Sequence, residues 1–134
     1  MGMLVWMQKD FDRWSKQKAK LNDINVTLSF KEREIWVCYF GLNIGHEQDG
    51  DAKTFLRPVL ILKKFPNKTF FAIPLTRTPR FGKEYFTVVN DPRTSIALLS
   101  QGCVLDARRL VRRINIMSES EFESLKLRFL LNIL

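Results

Sequence analysis

The chain has 134 residues, a length that favours a single domain with its own hydrophobic core. Hydrophobic residues make up 46% of it, with 11 Phe and 3 Trp, which excludes an intrinsically disordered protein. Its 22 basic and 14 acidic residues give a net charge of +8, which suits a polyanion such as nucleic acid, although a solvated basic face would carry the same charge.

The apolar runs are too short and too often interrupted by charge to span a membrane. Residues 1–8 lack the basic start and long apolar core of a secretory signal, so we expect a cytoplasmic protein. The 2 cysteines, Cys38 and Cys103, stand in apolar runs and are expected to be buried free thiols, with a disulfide as the alternative. One histidine and 2 cysteines cannot supply the usual four ligands of structural zinc, so we expect no metal and no cofactor.

An amphipathic helix is predicted near the N-terminus. Apolar residues recur there at helical spacing with charged residues between them, namely Met7, Phe11, Trp14 and Leu21. Asn22 and Asp23 are suitable residues to end this helix.

From Val26 onward the pattern changes and predicts strands over residues 26–28, 35–40, 59–64, 69–75, 85–89, 95–99 and 103–105. Residues 41–56 show no period, and a loop of that length in a compact domain is usually functional or mobile. Residues 66–68 predict a tight hairpin connection, residues 90–92 close the strand before them, and Gly102 indicates a bulge or a close backbone approach.

A C-terminal helix is predicted after Ser118, which forms a capping-box pattern with Glu121. One apolar face follows, made of Phe122, Leu125, Phe129 and Ile133 and widened by Leu130 and Leu134. Many short strands followed by a helix predict a mainly β fold with helices, in the form of a strongly bent sheet or small barrel.

Polar residues at the ends of two strands indicate a site. A glycine-bounded loop contains a histidine, a carboxylate and an amide, in the order Gly45-His46-Glu47-Gln48-Asp49-Gly50. Arg57 follows at the start of a strand that is predicted to be buried, where its charge must be paired or offered to an anion. Thr76 marks the end of the next apolar strand. The sequence therefore predicts a site on the rim of the sheet or barrel.

These residues belong to a set of motifs that resembles the MazF/PemK toxins of bacterial toxin–antitoxin pairs. The motifs follow the family's order over roughly residues 32 to 134: Arg33-Glu34-Ile35-Trp36, Gly45-His46-Glu47-Gln48, Arg57-Pro58-Val59-Leu60-Ile61-Leu62, Pro74-Leu75-Thr76, Leu98-Leu99-Ser100-Gln101 and Leu105-Asp106-Ala107-Arg108-Arg109-Leu110. The resemblance implies a small SH3-like (MazF/PemK/CcdB-like) β-barrel with a C-terminal helix, present as a homodimer. It also implies a metal-independent endoribonuclease that cleaves single-stranded RNA and is held in check by a cognate antitoxin protein. Residues 1–31 are then a helical extension packed on a toxin domain of residues 32–134.

The resemblance also implies roles for site residues. RNA carries its own nucleophile, the 2′-hydroxyl, so cleavage without metal needs a base, an acid for the leaving 5′-oxygen, and positive charge for the phosphorane. The arginine and threonine of the family's main catalytic pair correspond to Arg57 and Thr76, and loop residues Glu47 and His46 are further catalytic candidates. The expected RNA contacts are Gln48, Arg77, Arg80, Lys83 and Gln101.

Alternatives remain open at several of these residues. Arg57 could instead form a salt bridge with Glu34 or Glu47, Thr76 could bond only to backbone, and His46 could be merely solvated. The chain also departs from PemK-type members, because Leu98, Ser100 and Cys103 stand where those members carry or often carry charged groups. Either acid–base catalysis is carried out by Arg57, Thr76, Glu47 and His46, or the protein is weakly active. The alternative function is a noncatalytic SH3-like module that binds nucleic acid or protein, and a gyrase poison like the related CcdB toxins is a more distant one.

Overall fold

An antiparallel sheet and a C-terminal helix make up most of the structure. The computed structural model describes residues 8–25, 27–89 and 94–133 of the chain. Its helices and strands in chain order are α1 (Phe11–Asn22), β1 (Glu34–Tyr39), β2 (Leu56–Lys64), β3 (Thr69–Thr76), β4 (Tyr85–Val88), β5 (Ser95–Leu98), β6 (Cys103–Asp106), β7 (Leu110–Ile116) and α2 (Glu119–Ile133). Two short 3-10 turns, Leu99–Gln101 and Ala107–Arg109, flank β6.

The strands form one antiparallel path in the order β4–β5–β3–β2–β1–β7. One edge of β3 pairs with β2, while its other edge pairs first with β6 and then, at Leu75 and Thr76, with β5. The 3-10 turn Leu99–Gln101 lies in the chain between β5 and β6, at this change of partner. Within the described ranges no pairing joins β4 to β7, so the sheet is open at that point. The predicted mainly β fold with a C-terminal helix is therefore confirmed, whereas the strand pairing does not close into the predicted barrel.

The sheet is covered by apolar side chains on both faces. Successive residues of a strand point to opposite faces, so neighbours such as Val59 and Leu60 belong to two different buried clusters. One cluster includes Trp36, Cys38 and Phe70. The other is covered by α2, which contributes the buried side chains of Phe122 and Leu125. Burial on both faces explains why β2 and β3 read as nearly continuous apolar runs in the sequence.

Helix α1 begins after Asp10, whose carboxylate accepts a hydrogen bond from the main-chain N–H of Arg13 over 3.1 Å. It ends at Asn22, and its buried residues are Trp14 and Leu21. Met7, which the sequence assigned to the same apolar face, lies outside the described residues, and Phe11 is exposed. No helix in the described ranges is both long and apolar enough to cross a bilayer.

Some predicted elements differ from the structure. Residues 27 and 28 are not in a strand, Val26 and residues 90–92 lie outside the described residues, and β7 was not predicted. β7 escaped prediction because two adjacent arginines, Arg112 and Arg113, interrupt its apolar residues, and only Leu110 in it is buried. In α2, Ser118 accepts from the N–H of Glu121 as predicted, but Leu130 is exposed rather than part of the buried face. Leu134 also lies outside the described residues.

Candidate functional site

Arg57 stands near the start of β2 and is half-buried. Its guanidinium is held by two main-chain carbonyl groups, because Nε donates to the oxygen of Asp49 and Nη1 donates to the oxygen of Leu75 over 2.9 Å. The other terminal nitrogen, Nη2, makes no hydrogen bond to the described part of the chain. The structure thus fixes the arginine through two of its donors and leaves a third for a ligand.

The salt bridges that the sequence offered as alternatives for Arg57 are not formed. Glu34 is buried and pairs instead with Arg113, with 3.0 Å between Oε2 and Nη1. Glu47 accepts a hydrogen bond from the main-chain N–H of Ile44 over 2.9 Å. Both alternatives were therefore wrong, and Arg57 is not neutralised by either carboxylate.

Burial lowers the pKa of Arg57, and the carboxylates of Asp49 and Asp51 partly oppose this effect. The ordinary pKa of an arginine lies so far above neutrality that the guanidinium stays charged in the physiological range. Arg57 therefore provides a permanent positive charge in a partly desolvated setting, where its interaction with an anion is stronger than in water.

Thr76 lies beside Arg57 at the end of β3. Thr76 directly follows Leu75, whose carbonyl accepts from Nη1 of Arg57, so the guanidinium reaches the end of β3 next to Thr76. The hydroxyl of Thr76 accepts a hydrogen bond from the main-chain N–H of Thr78 over 3.2 Å. The backbone bond that was the alternative for Thr76 is thus present, but it uses an acceptor site and leaves the hydroxyl proton to be donated.

The loop between β1 and β2 is held by its own polar groups. The carboxylate of Asp49 accepts from the main-chain N–H of Asn43 over 2.6 Å, and the Asn43 side-chain amide donates to the carbonyl of Gln48 over 2.7 Å. The N–H of Gly50 donates to the carbonyl of Gly41 over 2.7 Å. As predicted, this stretch contains neither strand nor helix, but its internal bonds fix the Asp49 carbonyl that holds Arg57.

A cleft of about 410 Å³ separates this loop from the 3-10 turn after β5. Most of its lining residues are polar: Phe40, Asn43, Glu47, Gln48, Ser100, Gln101, Gly102 and Cys103. The main-chain N–H of Gln48 donates to the side-chain oxygen of Gln101 over 3.1 Å, which ties the two walls together. The backbone at Gly102 lies close to the side chain of Phe71, as predicted, because a Cβ on Gly102 would lie 2.5 Å from the Phe71 ring. The predicted residues Glu47, Gln48 and Gln101 are thus brought together.

Other predicted site residues are not connected to Arg57. His46 is exposed on the loop, and Arg77, Arg80 and Lys83 are exposed in the segment after β3. Within the described ranges, no hydrogen bond or ion pair joins any of these four to Arg57, so their roles remain predictions.

The residues that depart from PemK-type members have different surroundings. Leu98 is buried in the core, while Ser100 and Cys103 line the cleft. Both cysteines are free, as expected, but Cys103 is half-buried rather than buried. Burial raises the pKa of Cys38 to about 12 and also raises the pKa of Cys103, so both thiols stay protonated at neutral pH.

Three arginines in or just before β7 bond to other parts of the protein. Arg108 bonds through Nε and Nη2 to the carboxylate of Asp106 at 2.9 Å and 3.0 Å, and this contact lowers the pKa of Asp106. Arg109 donates to the carbonyl of Tyr39 over 3.1 Å, and Arg113 pairs with Glu34. These three arginines therefore help to hold the structure, while the net charge of +8 is unchanged by their ion pairs.

Sequence reasoning did not identify two residues that act on this site. Asp49 was noted only as part of a motif, yet its carbonyl holds Arg57 and its carboxylate bonds to Asn43. Lys9 was not noted as part of the site, although its Nζ lies 2.9 Å from Oδ2 of Asp49. The carboxylates six and eight residues before the strand-start arginine, Asp51 and Asp49, could have drawn attention as its partners, but nothing in the sequence indicates the contact with Lys9.

Comparison with known proteins agrees with the fold and the motifs. A family model described as "PemK-like, MazF-like toxin of type II toxin-antitoxin system" matches residues 31–133, and no curated protein matches the sequence. Among solved structures, the fold is similar to MazF (Form-I) from Deinococcus radiodurans, with 17% identity, 76% of this chain and 94% of that chain covered, and a TM-score of 0.63. It is also similar to an endoribonuclease from Mycobacterial species, with 12% identity, coverage of 81% and 95%, and a TM-score of 0.60.

A third similar structure is an endoribonuclease in complex with its cognate antitoxin, also from Mycobacterial species, with 14% identity, coverage of 78% and 95%, and a TM-score of 0.59. At such low identities these likenesses show the fold alone. The family model, in contrast, spans most of the chain and agrees with the motifs found in the sequence. The chain therefore belongs to the PemK-like, MazF-like toxins of type II toxin–antitoxin systems.

Proposed function

We propose that this toxin is a metal-independent endoribonuclease that cleaves single-stranded RNA. The observation that carries the proposal is the setting of Arg57, whose Nε and Nη1 are fixed by the carbonyl groups of Asp49 and Leu75 while Nη2 makes no bond to the described part of the chain. A guanidinium donor suits a phosphate oxygen in geometry and charge. Because the donor is fixed before the substrate arrives, it needs no reorganisation when charge develops in the transition state.

In the proposed reaction the 2′-oxygen bonds to phosphorus and the bond from phosphorus to the 5′-oxygen breaks. The 2′-hydroxyl loses its proton to a base and the leaving 5′-oxygen gains one from an acid, so the products are a 2′,3′-cyclic phosphate and a 5′-hydroxyl. Arg57 stabilises the phosphorane, and the hydroxyl of Thr76 donates to a phosphate oxygen or orients the 2′-hydroxyl. Glu47 is the proposed base and His46 the proposed proton shuttle, both on the exposed part of the loop.

The cleft beside the loop is the proposed site for part of the RNA chain. Its volume of about 410 Å³ falls in the range of small-ligand pockets, and the amides of Gln48 and Gln101 offer donors and acceptors to a base edge. The exposed side chains of Arg77, Arg80 and Lys83 are proposed to contact phosphates along the strand.

The test is incubation of the purified protein with single-stranded RNA in excess chelator, followed by analysis of the new ends. We expect cleavage to 2′,3′-cyclic phosphate and 5′-hydroxyl ends, and loss of cleavage in Arg57→Ala. RNA that stays intact over a range of sequences would contradict the proposal. RNA binding without cleavage, unaffected by Arg57→Ala, would instead support a noncatalytic binding module.

The partners and the location form part of the same proposal. We propose a cytoplasmic homodimer that binds a cognate antitoxin protein and no membrane, with residues 1–31 as an extension of a toxin domain of residues 32–134. The family assignment supports the antitoxin, and so does the similar mycobacterial endoribonuclease in complex with its cognate antitoxin. Sedimentation at micromolar concentration that gave only monomer would contradict the homodimer.

A further inference from the structure

The segment that precedes the family-matched region makes direct contact with the loop of the candidate site. The ammonium group of Lys9 lies 2.9 Å from Oδ2 and 3.2 Å from Oδ1 of Asp49. It also donates to the carbonyl oxygens of Asn43 over 2.5 Å and of Gly45 over 3.3 Å. One lysine outside residues 31–133 thus bonds to three residues of the loop between β1 and β2.

Helix α1 supports the base of the same loop. Trp14 packs against Gly41, where a Cβ would lie 2.1 Å from the indole, and its ring centroid is 5.2 Å from that of Phe55. Arg13 donates through Nη2 to the carbonyl oxygens of Ala52 and Lys53, over 2.6 Å and 2.7 Å. The loop, which contains no strand or helix, is therefore held from outside at its turn and at both ends.

We propose that Lys9 is a positioning residue for Arg57 and acts through Asp49. Lys9 holds the Asp49 carboxylate together with the N–H of Asn43, and the carbonyl of the same aspartate accepts from Nε of Arg57. Because the carboxylate of Asp49 is held in this way, its main-chain carbonyl is fixed in one orientation. The hydrogen bond to that carbonyl in turn fixes the orientation of the Arg57 guanidinium. The contribution of this placement to RNA cleavage rests on the proposed function, whereas the placement itself does not.

The charge of Lys9 also acts on Arg57 through the carboxylate of Asp49. The carboxylate of Asp49 lies close enough to Arg57 to favour its charged form. Without Lys9, this carboxylate would lose its ion-pair partner while keeping the N–H of Asn43, and its unpaired charge would attract the guanidinium in competition with a phosphate. Lys9 thus keeps the carboxylate paired, so that it does not compete with a phosphate for the guanidinium.

The experiment compares Lys9→Ala, Lys9→Arg and the control Lys16→Ala, which removes an exposed lysine from α1. The first measurement is the hydrogen-exchange rate of the Arg57 Nε–H, which is monitored by nuclear magnetic resonance in the absence of RNA. In Lys9→Ala we expect exchange to be about 5-fold faster or more, the change produced by losing a hydrogen bond of typical net strength. Lys9→Arg should restore most of the protection, and Lys16→Ala should match the natural sequence.

The second measurement is single-turnover RNA cleavage together with the RNA dissociation constant. Lys9→Ala should lower the cleavage rate at saturating RNA by about 10-fold, because small displacements of a positioned group are costly, and should change the dissociation constant much less. Unchanged exchange at Arg57 Nε–H in Lys9→Ala would overturn the inference whatever the activity. A protein that cleaves no RNA would overturn the proposed function, and the exchange result would still decide whether Lys9 positions Arg57.

Discussion

The carbonyl oxygen of Leu75 accepts a hydrogen bond from Nη1 of Arg57 over 2.9 Å, so the end of β3 fixes the arginine of β2. Leu75 is buried in the core and pairs with Ala97 of β5, which makes this carbonyl a rigid acceptor. The next residue along β3 is Thr76, the second candidate for catalysis. The core of the sheet therefore fixes the relative placement of the two side chains.

The first prediction concerns the charge and shape of Arg57. Arg57→Ala should lower the RNA cleavage rate by about 100-fold or more, the effect of losing one donor to the transition state. Arg57→Lys should recover little, since one ammonium group cannot bond to Asp49 and Leu75 and still reach a phosphate. Single-turnover kinetics with Arg112→Ala as the control, an exposed arginine on β7, would measure this. Equal losses in Arg57→Ala and the control would mean that the site lies elsewhere.

The second prediction orders the remaining candidates. Thr76→Ala should reduce cleavage less than Arg57→Ala, because a neutral hydroxyl makes a weaker and more replaceable hydrogen bond than a guanidinium. Thr76→Ser keeps the hydroxyl and should stay close to the natural rate. His46→Ala should reduce the cleavage rate least, since His46 is exposed and makes no bond to Arg57 within the described ranges. Rates measured at saturating RNA give the order, and small, equal losses in all three alanine variants would contradict it.

Arg57 could be identified from the sequence because charged residues are uncommon in buried strands. A charge at the start of an apolar strand is conspicuous, and β2 and β3 are themselves conspicuous because they are buried on both faces. β7 lacks such a signal, since all but Leu110 of its side chains are at least partly exposed, and only its pairing with β1 makes it a strand. Local pattern therefore predicted the central strands and missed β7.

Partner choice inside the site could not be predicted in the same way. From sequence, Glu34 was a possible partner for Arg57, but the fold gives it Arg113, 79 residues away. Lys9 and Asp49 are 40 residues apart, and neither belongs to a pattern that refers to the other. Such contacts depend on how α1 and β7 pack on the sheet. The composition of the two segments does not determine that packing.

The third prediction concerns the salt dependence of RNA binding. If Arg77, Arg80 and Lys83 contact phosphates, the logarithm of the association constant should fall with the logarithm of salt by roughly 0.7 per contact on single strands. The variant Arg80→Gln should reduce the slope by about one such contact, and Lys16→Gln on α1 should leave it unchanged. Fluorescence titrations between low and physiological salt would show this. A flat response would exclude these basic residues as the binding surface.

The last prediction concerns acid stability and rests on Glu34. Burial works to raise the pKa of this carboxyl, but hydrogen bonds from Trp36, the N–H of Lys31 and Arg113 outweigh it, so the pKa lies below the ordinary value of 4.5. A lowered pKa in the folded state means that the ionised carboxylate stabilises the fold. This stabilisation is complete above pH 4.5 and is lost as the pH falls through the lower, folded-state value.

Glu34→Gln should therefore lower the free energy of unfolding by about 1–3 kcal/mol at neutral pH, the range for hydrogen bonds to a charged group. The difference from the natural sequence should stay constant down to about pH 5 and then shrink as the pH falls further. Denaturant unfolding at a series of pH values would measure both curves. Glu123→Gln is a suitable control, because it removes an exposed glutamate whose ion-pair partner in the described ranges is neighbouring Lys126 on α2, and it should change stability by less than about 1 kcal/mol. Curves for Glu34→Gln and the natural sequence that run parallel from pH 7 to pH 3 would show that Glu34 does not stabilise the folded state through its charge.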